Sequence, residues 1–406
     1  MYNDITICFI IAHYFGKVKE MTRNKMKICA VICEYNPFHN GHAYQLQEAK
    51  KRSKSDALLC IMSGNFVQRG EAAVVDKFTR AKHAVLGGAD IVVELPTVFA
   101  TSNAELFAKG AISILVSIPE VTTLAFGAEN ANAEAFLQAA KLMNTEPAHV
   151  SCAIKNYTAS GMSFAKARMT AWQETIDLDL LSSPNNILGL EYTRAILERK
   201  AAIDILPIQR LGASYHDTAL NGTFASASAI RIGLQNGEDV SASIPAFVHA
   251  ELPKSLPQSL DFLEKYAILS HSTEKIARVC DCTEGLENAF KKAAVQHIPL
   301  VESLTSARYT SSRIRRIALQ NLLNIEEDLI RASLQTPLYL RVLAVKKERS
   351  DVLTALAQSA CPTIIRAHDE DVLDGIAKQV YERDIFAENV YKLLQATKNK
   401  RNIFIP

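Results

Sequence analysis

In the stretch "EYNPFHNGHAYQL", over 34–46, His39 and His42 are separated by Asn40 and Gly41. These are the residues of the chain whose types and spacing most directly suggest chemistry. The apolar run "KICAVIC" comes before them and a helical pattern follows, so His39 falls on the approach to a helix and His42 in its first turn. A helix N-terminus presents unpaired N–H groups and the positive end of its dipole, and therefore attracts anions. Two imidazoles beside such a terminus can reach a docked phosphate. Gly41, lacking a Cβ, would let a flat ligand such as adenine lie against the backbone. Fixed donors of this kind stabilise charge that grows on an α-phosphate. The reaction that fits is nucleotidyl transfer, in which an acceptor attacks the α-phosphate of ATP and pyrophosphate leaves, with His39 and His42 as its catalytic candidates.

Other residues extend this reading. "ASASAIR" offers Ser226 and Ser228 at the start of a helix and Arg231 one turn in, an arrangement suited to the β- and γ-phosphates. "SYHD" suggests a proton-transfer pair, Asp217 orienting His216 beside Tyr215. The polar loop after the second strand brings Asn65, Gln68 and Arg69 over the ligand crevice, where they could meet the acceptor. A lysine-rich string, "KRSKS" over 51–55, resembles the KMSKS loop of class I aminoacyl-tRNA synthetases. It follows His42 on the same helix, about 14 Å away and at the far end, so its cations suit the helix C-terminus instead.

The elements that must position these groups alternate along the chain. Strands are expected at "KICAVIC", "DALLCIM", "DIVVEL", "TTLAFG" and "IDILPIQR", with helices over 42–51, 76–86, 102–115 and 163–172. This is the pattern of an α/β, doubly wound, Rossmann-like parallel sheet, and its continuously aliphatic strands imply burial on both faces. Three segments result: an N-terminal extension over 1–25, an ATP-binding nucleotidyltransferase-like layer over 26–236, and a mainly α-helical region over 237–406. The polar break "GLQNGEDVS" marks the second boundary.

Composition narrows the function classes. The chain has 406 residues, 48% hydrophobic and 22% charged, with a net charge of +2, so a nucleic-acid partner must be held by a local basic patch. The first 25 residues carry an apolar run too short to span a bilayer, and no membrane association is expected. Eight cysteines without zinc-type spacing suggest reduced residues of a cytoplasmic protein and no protein-held metal; Cys280 and Cys282 are the one close pair.

Six blocks in order, "CEYNPFHNGHAYQL", "MSGNFVQRGEAAVVDKFTRAKHAVLGGADIVVELP", "AFGAE", "SPNNILGLEY", "QRLGASYHD" and "RYTSSRIRRIALQNLL", together resemble the bacterial tRNA(Met) cytidine acetate ligase family. The corner is also similar to that of pantetheine-phosphate and nicotinamide-mononucleotide adenylyltransferases. The resemblance to the ligases implies activation of acetate by ATP, with Mg2+, to acetyl-adenylate. The acetyl group then passes to the N4 amine of the wobble cytidine in elongator tRNA(Met). It implies an ATP site formed by Ile32, Cys33, Glu34, Tyr35, Asn36, Pro37, Phe38, His39, Asn40, Gly41, His42, Ala43, Tyr44 and Gln45. Gly127, Asn185 or Asn186, and Arg210 would complete it. No protein partner is implied.

A tRNA substrate requires a cationic surface. Between 308 and 349 there are nine Lys or Arg against four Asp or Glu. Arg308, Tyr309, Arg313, Arg315 and Arg316 are the tRNA-binding candidates: a turn near 310–312 would let the last three arginines project together, with Tyr309 available for stacking. The tail "KNKR" over 398–401 would add to it. A small-molecule adenylyltransferase and a non-catalytic nucleotide- or RNA-binding module are the competing readings.

Overall fold

The structure is a computed structural model that describes residues 26–395, apart from 163, 174, 212–221 and 254. Its strands are β1 (Ile28–Cys33), β2 (Ala57–Ser63), β3 (Phe66–Val67), β4 (Glu71–Ala72), β5 (Ile91–Leu95), β6 (Val121–Ala128), β7 (Asp204–Gln209), β8 (Leu340–Val345) and β9 (Thr363–Ile364). Seven of them form one sheet in the order β7-β6-β1-β2-β5-β8-β9, while β3 and β4 pair as a small hairpin. From β7 to β5 every pairing is parallel.

The aliphatic runs become central strands because both faces are covered. β1, β2 and β5 are buried at every position. Alternate residues of β1 feed two cores, Ile28, Ala30 and Ile32 on one face and Cys29, Val31 and Cys33 on the other. A third core lies among the helices Asp261–Ser270, Leu286–Ala294 and Ser311–Leu323, through Ile268, Phe290, Ile314 and Ile317.

The chain leaves β1 toward β2 and β5 on one side and later returns to place β6 and β7 on the other. The gap between β1 and β6 is therefore the topological switch point, where the carboxyl ends of a parallel sheet leave a crevice for a ligand. Both the His-x-Gly-His corner after β1 and Gly127 near the end of β6 open onto it.

The sheet extends beyond the layer expected from the sequence. β8 and β9 come from the region read as mainly helical, with β8 antiparallel to β5 in the register Ile91↔Val345. "LRVLAV" is a short apolar run, which periodicity alone does not separate from a buried helix. Buried charges lock it in place: Lys77 Nζ lies 2.8 Å from Glu94 Oε1 on β5 and 3.2 Å from Glu388 Oε2, and Arg341 Nη1 on β8 lies 3.1 Å from Glu94 Oε2. Isolated, any of these charges would be costly to bury; mutually paired, they fix β8 beside β5.

Cys280 and Cys282 are free and buried, and burial pushes both thiols up to about 12. Among the described residues no helix is long and apolar enough to cross a membrane.

Candidate active site

β1 ends at Cys33, and the chain turns through Asn36 and Pro37 into the helix Asn40–Ser53, with His39 as its N-cap. The histidine rings stack, their centroids 3.5 Å apart and their planes 22° from parallel. The His39 backbone N–H donates to His42 Nδ1 at 3.2 Å, which leaves the proton of a neutral His42 on Nε2. Tyr35 and Phe38, both fully buried, back the His42 ring at centroid distances of 4.7 and 5.7 Å. His39 Nδ1 is buried and faces the His42 backbone N–H in a capping-box arrangement, without a full hydrogen bond to the chain. No acidic residue occupies the first turn of this helix.

Both imidazoles are held neutral. Burial, followed by the nearby Arg210 and Arg231, lowers His39 to about 3; burial, His39 and Arg210 lower His42 well below the ordinary range. Each ring thus enters as a fixed N–H donor in a field made positive by two guanidiniums and a helix terminus. Fixed donors in a positive field suit an anionic ligand.

Gly41 has a reason more local than ligand contact. A Cβ there would come within 2.9 Å of His39 Cε1, so glycine is what lets the His39 ring lie over the helix start. Gly127 differs: a Cβ would meet Arg210 Cγ at 3.6 Å and Gln45 Nε2 at 3.8 Å, ordinary contacts, so the protein itself leaves room for a side chain there. The cleft between these glycines is lined by His39, His42, Tyr44, Gln45, Gln209, Arg210, Leu211, Phe224 and Ala225.

Of the segment 32–45, His39, Gly41, His42, Tyr44 and Gln45 reach the cleft. Ile32 and Cys33 face the cores, and Pro37 is buried. Glu34 Oε1 accepts from Gln68 N–H at 2.7 Å, and Asn36 Oδ1 accepts from Val74 N–H at 2.8 Å. Asn40 Nδ2 donates to Thr223 O and Ala242 O, each at 3.0 Å, tying this helix to the approach of the helix Ala227–Asn236. Ser226 caps that second helix, accepting from Ala229 N–H, and Ala43 lies partly buried one turn into the first. Arg231 Nη1 donates to Asn36 O at 2.9 Å and its Nη2 to Ser228 Oγ at 3.3 Å, which brings the second helix against the His-x-Gly-His corner.

The two asparagines separate. Asn186 is wholly buried; its Oδ1 accepts from Glu129 N–H at 2.9 Å and its Nδ2 donates to Asp179 O at 2.9 Å, so its amide is used within the fold. Asn185 Nδ2 donates to Glu129 Oε1 at 2.6 Å, and Arg210 Nε lies 3.6 Å from the same oxygen. Glu129, just after β6, is the hub that sequence reasoning missed, although it stands in the block "AFGAE".

The family described as HIGH Nucleotidyl Transferase matches residues 26–403. A tRNA(Met) cytidine acetate ligase of Thermoanaerobacter sp. is 37% identical over 383 residues, covering 91% of this chain and 95% of that protein. Among solved structures, Thermotoga maritima TmcAL in apo form I superposes with a TM-score of 0.84 at 29% identity, covering 94% of this chain and 98% of that one. The same protein bound with alpha-thio ATP gives 0.81 at 30% identity, with 91% and 95% covered. The chain belongs to the tRNA(Met) cytidine acetate ligase family of HIGH nucleotidyl transferases.

For a ligase of this family the cationic surface matters, and here the structure corrects the sequence. Thr310 caps the helix Ser311–Leu323, so Arg313, Arg315 and Arg316 all lie within it and do not project together. At about 100° per residue, Arg313 and Arg316 share a face and Arg315 lies on another. Arg313 donates to Asp281 O at 2.8 Å and Arg316 pairs with Asp281 Oδ2 at 3.4 Å, whereas Arg315 turns away to Glu71 Oε1 at 3.2 Å. Tyr309 is flanked by the Arg308 and Arg313 guanidiniums, 5.8 and 5.2 Å from its ring centroid. Arg308, Arg313 and Arg316 join Lys109, Arg199 and Arg331 around a cleft of about 900 Å³ that Glu105, Glu198, Asp281, Glu284 and Glu327 also line.

Of the loop residues, Asn65 is buried and accepts from Lys77 N–H, and Gln68 Nε2 donates to Ser102 O, so both serve the loop's own fold. Arg69 remains near Glu34, Glu71, Arg231 and Arg315. The Tyr215, His216 and Asp217 group and the 398–401 tail lie outside the described residues.

Proposed function

We infer that this protein activates acetate with ATP and transfers the acetyl group to the N4 amine of the wobble cytidine of elongator tRNA(Met). The observation that carries the reading is the near end-to-end match to tRNA(Met) cytidine acetate ligases, and the cleft supplies chemistry consistent with it. A carboxylate is a poor electrophile. Its oxygen attacks the ATP α-phosphorus, pyrophosphate departs, and the mixed anhydride carries a good leaving group. The amine nitrogen then attacks the acetyl carbon, the carbon–oxygen bond to AMP breaks, and the amine proton passes to solvent. His39 and His42 donate to the α-phosphate oxygens, and the N-terminus of the helix Ala227–Asn236, with Ser228 and Arg231, faces the β- and γ-phosphates. Glu129 orients Asn185 and Arg210 on the nucleoside side.

Among the described residues no group of three His, Cys, Asp or Glu is placed to hold a metal, so Mg2+ is proposed to enter with the triphosphate, as part of the substrate. The tRNA lies along the cleft bordered by Arg308 and Arg313. The work of such an enzyme belongs in the cytoplasm.

Acetate-dependent exchange of labelled pyrophosphate into ATP tests the first half-reaction. Exchange with acetate alone is expected. Exchange only with a phosphorylated metabolite would instead identify a small-molecule adenylyltransferase, and none under any condition a binding module.

A further inference from the structure

The β3-β4 hairpin joins two regions that are far apart in sequence. Gly70, with φ +73°, sits so close to the helix Ser311–Leu323 that an added Cβ would come within 2.7 Å of the Arg315 carbonyl carbon and the Arg316 nitrogen. The next residue, Glu71, places Oε1 3.2 Å from Arg315 Nη1 and Oε2 3.8 Å from Arg231 Nη2. Among the described residues it is the one carboxylate within ion-pair range of either guanidinium. Arg231 also donates to the carbonyl of Asn36, three residues before His39. Arg315 is a third exposed, on the same helix as the cleft-lining Arg313 and Arg316 but turned toward the hairpin.

We propose that Glu71 is a positioning residue that divides Arg231 and Arg315 between the ATP phosphates and the RNA backbone, so that an intact triphosphate and the tRNA oppose each other's binding. This rests on the function proposed above. Either polyanion can take its arginine while Glu71 keeps the other. When both are taken, a partly buried carboxylate loses both ion pairs and keeps only the weaker influence of Arg69 nearby, which is unfavourable. Departure of pyrophosphate returns Arg231 to Glu71 and frees Arg315 for RNA, which orders the two half-reactions.

The test measures the affinity of an unmodified elongator tRNA(Met) transcript with and without saturating α,β-methylene ATP. In the wild type the analogue should weaken tRNA binding roughly 5- to 10-fold, and tRNA should weaken analogue binding by the same factor, since coupling is reciprocal. AMP, lacking the outer phosphates, should have no such effect. Glu71→Gln should bring the factor to within about twofold, because a neutral amide is less costly to leave unpaired, and Glu71→Asp should restore part of it. An unchanged factor in Glu71→Gln, no coupling in the wild type, or an equal effect of AMP would overturn the proposal. Arg231→Ala and Arg315→Ala, measured on the separate binary complexes, should weaken ATP and tRNA binding respectively. If either does not, the proposal falls although acetate-dependent exchange stands, whereas absence of that exchange in the wild type removes the function itself.

Discussion

The histidine corner and the arginine-lined cleft present their polar groups in opposite ways. At the corner the donors are neutral: two stacked imidazoles kept uncharged by burial, a helix terminus without an acid in its first turn, and an unsatisfied ring nitrogen. Around the cleft the donors are charged and engaged. Arg308 pairs with Glu284 at 2.8 Å, Arg316 with Asp281 at 3.4 Å, and Arg331 with Glu327. The corner is organised in advance for one small ligand, so little rearrangement accompanies binding. On the proposed function, the cleft exchanges existing ion pairs for phosphates, which limits the affinity each pairing adds and suits a large partner that makes many of them.

The sharpest way to break this contrast is to remove the neutral donors. His42→Ala or His39→Ala should slow acetate-dependent pyrophosphate exchange by about 100- to 1,000-fold, or roughly 3 to 4 kcal/mol of barrier, with tRNA affinity unaltered. Unaltered exchange would place the donors elsewhere. Gly41→Ala keeps both imidazoles but pushes the His39 ring aside, and should cost up to about 100-fold in the same assay, more in kcat than in the KM for ATP.

Acid stability sharpens the comparison further. His39 in the unfolded chain takes up a proton near its ordinary value of 6.5, but in the folded protein only near 3. The unfolded state therefore binds more protons between these values, and stability falls as pH drops from 6.5 toward 3. By pH 5 the decrease from this group should be about 2 kcal/mol. Urea unfolding of His39→Asn should show a flatter acid limb than the wild type, and an identical limb would mean the ring is not buried neutral. The smallest effect belongs to the charged surface: Arg308→Ala with Arg313→Ala should weaken tRNA binding by roughly tenfold or less. The salt dependence of binding should fall by about one unit of log–log slope for each phosphate that is no longer neutralised. Pyrophosphate exchange should be untouched.

Several features of the site were legible in sequence because they are local. An aliphatic run, a Pro-containing turn, a glycine and a helical pattern occupy consecutive positions, and the fold keeps them consecutive in β1 and the helix Asn40–Ser53. The same holds for Ser226 as a helix cap. The grouping of Arg313, Arg315 and Arg316 failed because charge along a helix does not reveal which acids lie beside it. Asn185 and Asn186 are adjacent and chemically identical, and only burial assigns one to the fold.

The sequence by itself determined the alternation that makes a doubly wound sheet and the chemistry available at its first corner, since both follow from side-chain type and short-range spacing. Tertiary structure decided that β6 lies beside β1, that Arg231 closes on the Asn36 carbonyl, that β8 joins the sheet edge and that one glutamate serves two distant arginines. These pairings join residues that are far apart along the chain, and their energies come from burial and charge pairing across the folded molecule, for which local periodicity carries no signal.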